Sequence, residues 1–137
     1  MLFGYLLGST QIPQQLSSWV TQLDASKWLV FIVLIVVYIV LGMFLDGGSI
    51  VLITMPIVYP ILIALGFDPI WFAIILMVAL CIGVVSPPVG LVSYVVADIT
   101  PGTSITTIFM AAMPYVIINL LVILLFSLFP EIVTFLL

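Results

Sequence analysis

Residues 28–45, WLVFIVLIVVYIVLGMFL, run for 18 positions without a charge. A helix rises about 1.5 Å per residue, so the stretch reaches about 27 Å, close to the roughly 30 Å hydrocarbon core of a bilayer. Lipid offers the backbone no hydrogen bonds, so a lipid-exposed segment of this kind has to be helical. The rest of the chain agrees: 66% of its 137 residues are hydrophobic and 4% are charged, against about 25% charged in soluble domains. No soluble fold hides that much apolar surface at this length. The expected class is an all-α integral membrane protein.

The charges exclude several functions. The chain has five acidic residues, one lysine and no histidine. Nucleic acid requires basic patches, and there are none. Cys81 is the one cysteine, inside an apolar run, and reads as a small packed hydrophobe rather than a redox group. There is no Ser/His/Asp or Cys/His set, no phosphate loop and no pair of carboxylates close in sequence. Ser86 with Asp46 is the only pair an intramembrane enzyme has to work with, and it lacks a base of suitable pKa. The expectation is no enzyme and no cofactor.

The opening MLFGYLLGST has no basic stretch and no small-residue cleavage site, so it is not expected to be a signal peptide. It reads as the end of a preceding helix. In the polar segment 10–26, Ile12, Leu16, Trp19, Val20 and Leu23 fall at helical spacing, as in an amphipathic helix lying at the interface. A plain linker is the other reading. Residues 1–27 are thus expected to be a helix end followed by an interfacial segment.

Four long apolar segments dominate the rest. DGG at 46–48 joins residues 28–45 to a second arm, residues 49–66, which carries Pro56 and Pro60. GFDP at 66–69 reads as a turn, with Gly66 ending one helix and Pro69 opening the next. Residues 69–98 are apolar except for SPPVG, DITPGTS forms a polar loop, and residues 104–130 make a final helix carrying Pro114 and Asn119. Asp98 is expected to cap the broken helix or its loop. Tyr38, Tyr59, Tyr94 and Tyr115 are expected to pack or to sit at an interface.

The break GVVSPPVG, residues 83–90, is the informative feature. Pro87 and Pro88 lack an N–H, so a continuous helix would strand the carbonyls of Gly83 and Val84. Each proline also pushes the residue before it out of helical geometry. An unpaired buried polar group costs roughly 1–3 kcal/mol. Irregular backbone at membrane depth persists where it is buried in protein or lines a watery cavity. There freed carbonyls can ligate a cation and half-helix ends can face an anion. A Na⁺ site made of carbonyls and the Ser86 hydroxyl would need no carboxylate. The plain alternative is a proline kink satisfied by a neighbouring helix.

DGG poses the same question. The two arms are either two full spans or a re-entrant hairpin whose tip stops inside the protein. Asp46 can act as an ordinary N-cap for Gly48 and Ser49. Alternatively Gly47, Gly48 and Ser49 form a site where backbone approaches a ligand, with Asp46 at depth.

GMFLDGGSIVLITMPIVYPILIALGFDPIWFAIIL, IGVVSPPVGL and MPYVIINLLVILLFSLFPEI, taken in order, resemble the C-terminal part of the large membrane subunit of TRAP transporters. The likeness covers roughly residues 10–137. It implies a bacterial or archaeal inner-membrane carrier that imports organic acids such as dicarboxylates or sialic acid on a Na⁺ gradient. It implies three partners: a periplasmic substrate-binding protein, a small membrane subunit and the remaining N-terminal part of the large subunit. It implies the second inverted repeat of an elevator-type carrier. Residues 28–66 would be a re-entrant hairpin with its tip near 46–49, residues 69–98 a discontinuous helix broken at 83–90, and residues 104–130 a final transmembrane helix. On this reading Na⁺ meets Asp46, Gly47, Gly48, Gly83, Val84 and Ser86, mainly through carbonyls. Substrate meets Ser49, Ser86, Pro87, Pro88 and Gly90. Lys27 alone would put the start of the first arm on the cytoplasmic side; the likeness has the hairpin entering from the periplasm instead. The family's large subunit is several times longer, so the chain is expected to be a fragment, inactive alone. A small structural or assembly membrane protein without a transport site is the competing reading.

Overall fold

The structure, a computed structural model, describes Gln15, Ser18 and residues 26–135. The interfacial amphipathic segment, with Ile12, Leu16, Trp19, Val20 and Leu23, lies outside the described residues, as does the start of the chain. Among the described residues there are six helices and no strand. They are α1 (Lys27–Phe44), α2 (Gly47–Ala64), α3 (Pro69–Val85), α4 (Leu91–Ile99), α5 (Ile105–Leu128) and α6 (Pro130–Thr134). α1, α2 and α5 are each long and apolar enough to cross a membrane, while α3, at 17 residues, is shorter.

Several helix boundaries have a clear local cause. α1 ends at Phe44, Leu45 is extended, and Asp46 caps α2 by accepting from the Ser49 N–H at 2.8 Å. At the other end of α2, Gly66 takes φ 73. Its N–H bonds the Ile63 carbonyl, and the N–H of Phe67 reaches back to Leu62, both at 3.0 Å. This is a Schellman termination, and the buried pair Phe67 and Leu62 closes it with an apolar contact. Asp68, read above as a turn residue, is the N-cap of α3; it accepts from Ile70 and Trp71 at 2.8 and 2.9 Å. Pro69 fills the first helical position, where the missing N–H costs nothing. Ser104 caps the helix that follows the 98–104 loop, accepting from Thr107. Asp98 lies exposed in the last turn of α4.

α3 is the centre. It packs chiefly on α1 and α5, and α1 and α2 touch each other less than either touches α3. Phe72, Ile75 and Ala79 of α3 are fully buried, together with Leu62 of α2. In lipid there is no hydrophobic force pulling helices together, so close backbone approach and hydrogen bonds decide the packing. Both are present. Gly42 of α1 and Gly83 of α3 meet backbone to backbone: a Cβ on Gly83 would lie 2.6 Å from the Ile39 carbonyl oxygen and 2.8 Å from the Gly42 Cα. The Trp71 indole donates to the carbonyl of Phe126 at 2.8 Å, joining α3 to α5. The Tyr38 hydroxyl lies 2.6 Å from the Thr54 hydroxyl, joining α1 to α2.

At the end of the bundle where α1 and α3 begin, Trp28, Phe31, Phe67 and Trp71 form an aromatic cluster, with Phe31 and Phe67 stacked on Trp71 at 5.2 and 5.5 Å. The Lys27 ammonium stands 5.7 Å from the Phe67 ring and 6.0 Å from Trp28. Aromatic rings with one lysine are the usual furniture of a membrane–water boundary. The exposed faces of α1 (Leu29, Ile32, Val36) and α5 (Met110, Ile117, Leu121) are largely apolar, as a surface meeting lipid has to be. The chain is a helical membrane protein.

Candidate functional site at the hairpin tip and the helix break

The break is built from the loss of two N–H groups. α3 stops at Val85, the peptide between Pro87 and Pro88 is cis, and α4 starts after Gly90. The carbonyls at the end of α3 have different fates. Ile82 accepts from both the N–H and the hydroxyl of Ser86, at 3.1 and 2.7 Å. The Gly83 carbonyl, which a continuous helix would have stranded, accepts from the Ser86 N–H at 3.1 Å, because the helix tightens in its last turn. Val84 is different. Its i+3 and i+4 partners are the two prolines, and no backbone N–H among the described residues reaches its carbonyl. The Val85 carbonyl takes a bond from the Ser93 hydroxyl at 3.0 Å, across the break.

Gly90 turns the chain. Its φ is 49 and ψ 73, and a Cβ there would lie 2.8 Å from the Ser86 carbonyl oxygen and 3.1 Å from the Phe109 ring. α4 therefore starts close against the end of α3, and Tyr94 meets Phe109 of α5 edge-on at 6.4 Å.

The hairpin tip and the break border one cavity of about 750 Å³. α2 contributes Gly47, Gly48, Val51 and Leu52; α3 contributes Met77, Leu80, Cys81, Val84 and Val85; Val92 comes from α4 and Tyr115 from α5. The N-terminus of α2, the C-terminus of α3 and the first turn of α4 thus face the same space. The first N–H groups of a helix carry partial positive charge and its last carbonyls partial negative charge. Apart from the Tyr115 hydroxyl and the Cys81 thiol, the side chains around the cavity are apolar. The cavity is therefore a largely apolar space bordered by two helix ends, and the Asp46 carboxyl already caps the first of them.

Of the residues singled out above, Gly47, Gly48 and Val84 line this cavity. Asp46 is exposed at the tip, capping α2, and the hydroxyl and N–H of Ser49 hold its carboxyl below the usual aspartate range. Ser49 is half-buried beside it. Gly83 is buried against Gly42, and Ser86 is buried with its hydroxyl given to Ile82. Pro87 and Pro88 are exposed, and Gly90 is buried. Pro56 lies beside a neighbouring groove of about 440 Å³ with Val51, Leu52 and Met55. Sequence reasoning missed Ser93, Tyr115 and Cys81 as neighbours of the site. Ser93 had a legible signal: it is the third residue after a break glycine, where a hydroxyl can reach back across the gap.

Comparison with known proteins gives a consistent picture. The family model described as "Tripartite ATP-independent periplasmic transporter, DctM component" matches residues 1–132. A C4-dicarboxylate TRAP transporter large permease protein of Pseudomonas aeruginosa is 38% identical over 132 residues, covering 96% of this chain and 31% of that protein. A sialic acid TRAP transporter large permease protein of Vibrio cholerae is 25% identical, covering 95% of this chain and 30% of its own length. An isethionate TRAP transporter permease protein of Oleidesulfovibrio alaskensis is 29% identical, with 98% and 21% covered. The chain therefore spans less than a third of the length of these relatives. With the match extending over nearly all of its residues, the chain belongs to the DctM component family of the tripartite ATP-independent periplasmic transporters.

Proposed function

We propose that the chain is part of the large permease subunit of a Na⁺-coupled TRAP transporter that imports an organic acid of the dicarboxylate or sialic-acid type. The acid is delivered by a periplasmic binding protein, and the carrier sits in the inner membrane of a bacterium or archaeon. It works with a small membrane subunit and with the rest of the large subunit. α1 and α2 are a re-entrant hairpin, and α3 and α4 are the halves of a discontinuous helix, together the second inverted repeat of an elevator-type carrier. Na⁺ is the coupling ion, held mainly by carbonyls near the tip and the break, with the Val84 carbonyl as the nearest open ligand. The N–H groups of Gly47 and Gly48 favour a carboxylate.

One observation carries this reading: Gly47 and Gly48 at the tip share a cavity with Val84, whose carbonyl has no backbone donor among the described residues. A purely structural subunit has no use for an unpaired carbonyl beside a cavity, since one kept from water costs roughly 1–3 kcal/mol.

The test is thiol accessibility. Single cysteines at positions 44–50 and 83–90, on a Cys81→Ser background, are exposed to a water-soluble thiol reagent in membranes, with and without Na⁺. Positions in both segments should label, and Na⁺ should protect some of them when the rest of the subunit is co-expressed. If neither segment labels under any condition, the breaks are packed kinks and the chain is a structural membrane subunit. The 137-residue chain alone in liposomes should show no Na⁺-dependent uptake.

A further inference from the structure

α2 is held very unevenly along its length. Its second half is fixed in the core by Val58, Ile61 and Leu62, all buried. Pro56 interrupts its hydrogen-bond ladder between that half and the tip. A proline removes the donor for the carbonyl four residues earlier and bends or loosens the helix there. The tip half, Gly47 to Thr54, therefore cannot rely on helix continuity to keep its place. It rests on Leu80, which lies 3.5 Å from where a Gly47 Cβ would be, and on Ile50, which is 1% exposed.

The remaining tie is a hydrogen bond. The Tyr38 hydroxyl and the Thr54 hydroxyl are 2.6 Å apart, and Thr54 lies 2.8 Å from the Ile50 carbonyl. A threonine hydroxyl has one proton. Thr54 gives it to Ile50, so Tyr38 must donate to Thr54. Tyr38 is 1% exposed, and its ring packs edge-on against Phe72 of α3 at 6.4 Å. Among the described residues this is the one side-chain hydrogen bond between α1 and α2. It sits about 10 Å, two turns, from the tip, just on the tip side of Pro56.

From this we infer that Tyr38 is a positioning residue: its hydroxyl, through Thr54, latches the tip half of α2 against α1 and α3 and so sets where Gly47 and Gly48 stand at the cavity. The inference rests on the carrier reading only for its consequence. If the cavity binds Na⁺, releasing the latch weakens that binding without removing any group that touches the ion.

The experiment uses one reporter cysteine on each side of the prolines, Gly48→Cys and Ile63→Cys, each on the Cys81→Ser background in membranes. Both positions lie on the protein surface, Gly48 in the first turn of α2 and Ile63 next to its last residue. Labelling rates with a water-soluble maleimide are compared for the parent, Tyr38→Phe, Thr54→Val, the double variant and Thr54→Ser. Tyr38→Phe and Thr54→Val should each change the Gly48→Cys rate by about fivefold, the population change expected from losing one hydrogen bond. The Ile63→Cys rate should stay put. The double variant should be no worse than either single one, and Thr54→Ser should behave as the parent. Equal changes at both reporters, or none at Gly48→Cys, would overturn the inference. Repeating the labelling over a Na⁺ series with the full subunit separates the two ideas. A latch effect without any Na⁺ protection sinks the carrier reading and leaves the latch. Na⁺ protection whose midpoint is unmoved by Tyr38→Phe sinks the latch's role in binding and leaves the carrier.

Discussion

The Trp71 indole nitrogen donates at 2.8 Å to the carbonyl of Phe126, the group that Pro130 deprives of its ordinary helical donor. Two residues 55 positions apart thereby close a gap that neither helix can close alone. Removing the donor should leave that carbonyl without its protein partner. Trp71→Phe is expected to destabilise the chain in detergent by about 1–3 kcal/mol, read from SDS-titrated unfolding. Pro130→Ala restores a backbone N–H at that site, so Trp71→Phe should cost less in that background.

Gly83→Ala is expected to be strongly damaging. The added Cβ would lie 2.6 Å from the Ile39 carbonyl oxygen, and the obstacle is backbone. Overpacking of this kind typically costs about 1–3 kcal/mol. Gly42→Ala meets its nearest atoms at 3.3 Å and should cost less. Thermal melting of the two variants side by side checks the order.

Gly90→Ala and Gly66→Ala separate strain from space. Both glycines have positive φ, 49 and 73, which costs a residue with a side chain about 1–2 kcal/mol. At Gly66 nothing lies within 4 Å of the new Cβ, whereas at Gly90 the Ser86 carbonyl is 2.8 Å away. Gly90→Ala should therefore lose clearly more stability, and only it should alter reagent access at 83–90.

Ser93→Ala removes the hydroxyl that bonds the Val85 carbonyl across the break. Unfolding in mixed micelles should show a loss of about 1–3 kcal/mol. Ser93→Thr, which keeps the hydroxyl, should recover part of it.

The carboxyl of Asp46 sits below the usual aspartate range, first because of the Ser49 hydroxyl and then because of the Ser49 N–H. A depressed carboxylate contributes stability above its unfolded value and loses it as pH falls through its folded one. Loss of the cap is therefore expected only under acidic conditions, below the ordinary aspartate range. Asp46→Asn keeps an N-cap acceptor and should flatten that part of the pH profile. A chain whose stability falls equally with and without the carboxylate would show that the cap is not the titrating element.

The helices, the turn at Gly66 and the break were legible because each rests on local chemistry: uncharged runs of helix-spanning length, a glycine that can take positive φ, prolines without an N–H. What escaped depends on partners distant in sequence. Nothing near Gly42 or Gly83 says that the two glycines face each other across α1 and α3. Tyr38 could be read as a packing residue, and its ring does pack on Phe72, but its hydroxyl partner lies 16 residues away on another helix. Asp98 was expected to cap the broken helix or its loop; it lies exposed in the last turn of α4, and Ser104 caps the next helix. At the site, the stranded carbonyl of Val84 follows from sequence spacing alone. The rescue of Gly83 by the Ser86 N–H does not, because it depends on how tightly the last turn of α3 closes.

The aromatic cluster around Trp28 and Lys27 makes α1 a measuring rod. Its 18 residues span about 27 Å, so wherever the headgroups hold that end, the depth of Gly47 is decided by the thickness of the membrane rather than by the protein alone. In a thick, long-chain bilayer the tip would be drawn below the far surface and screened from bulk water. In a thin one it would surface. The lipid thereby becomes a setting on the cavity, adjustable by acyl-chain length without a change to any residue.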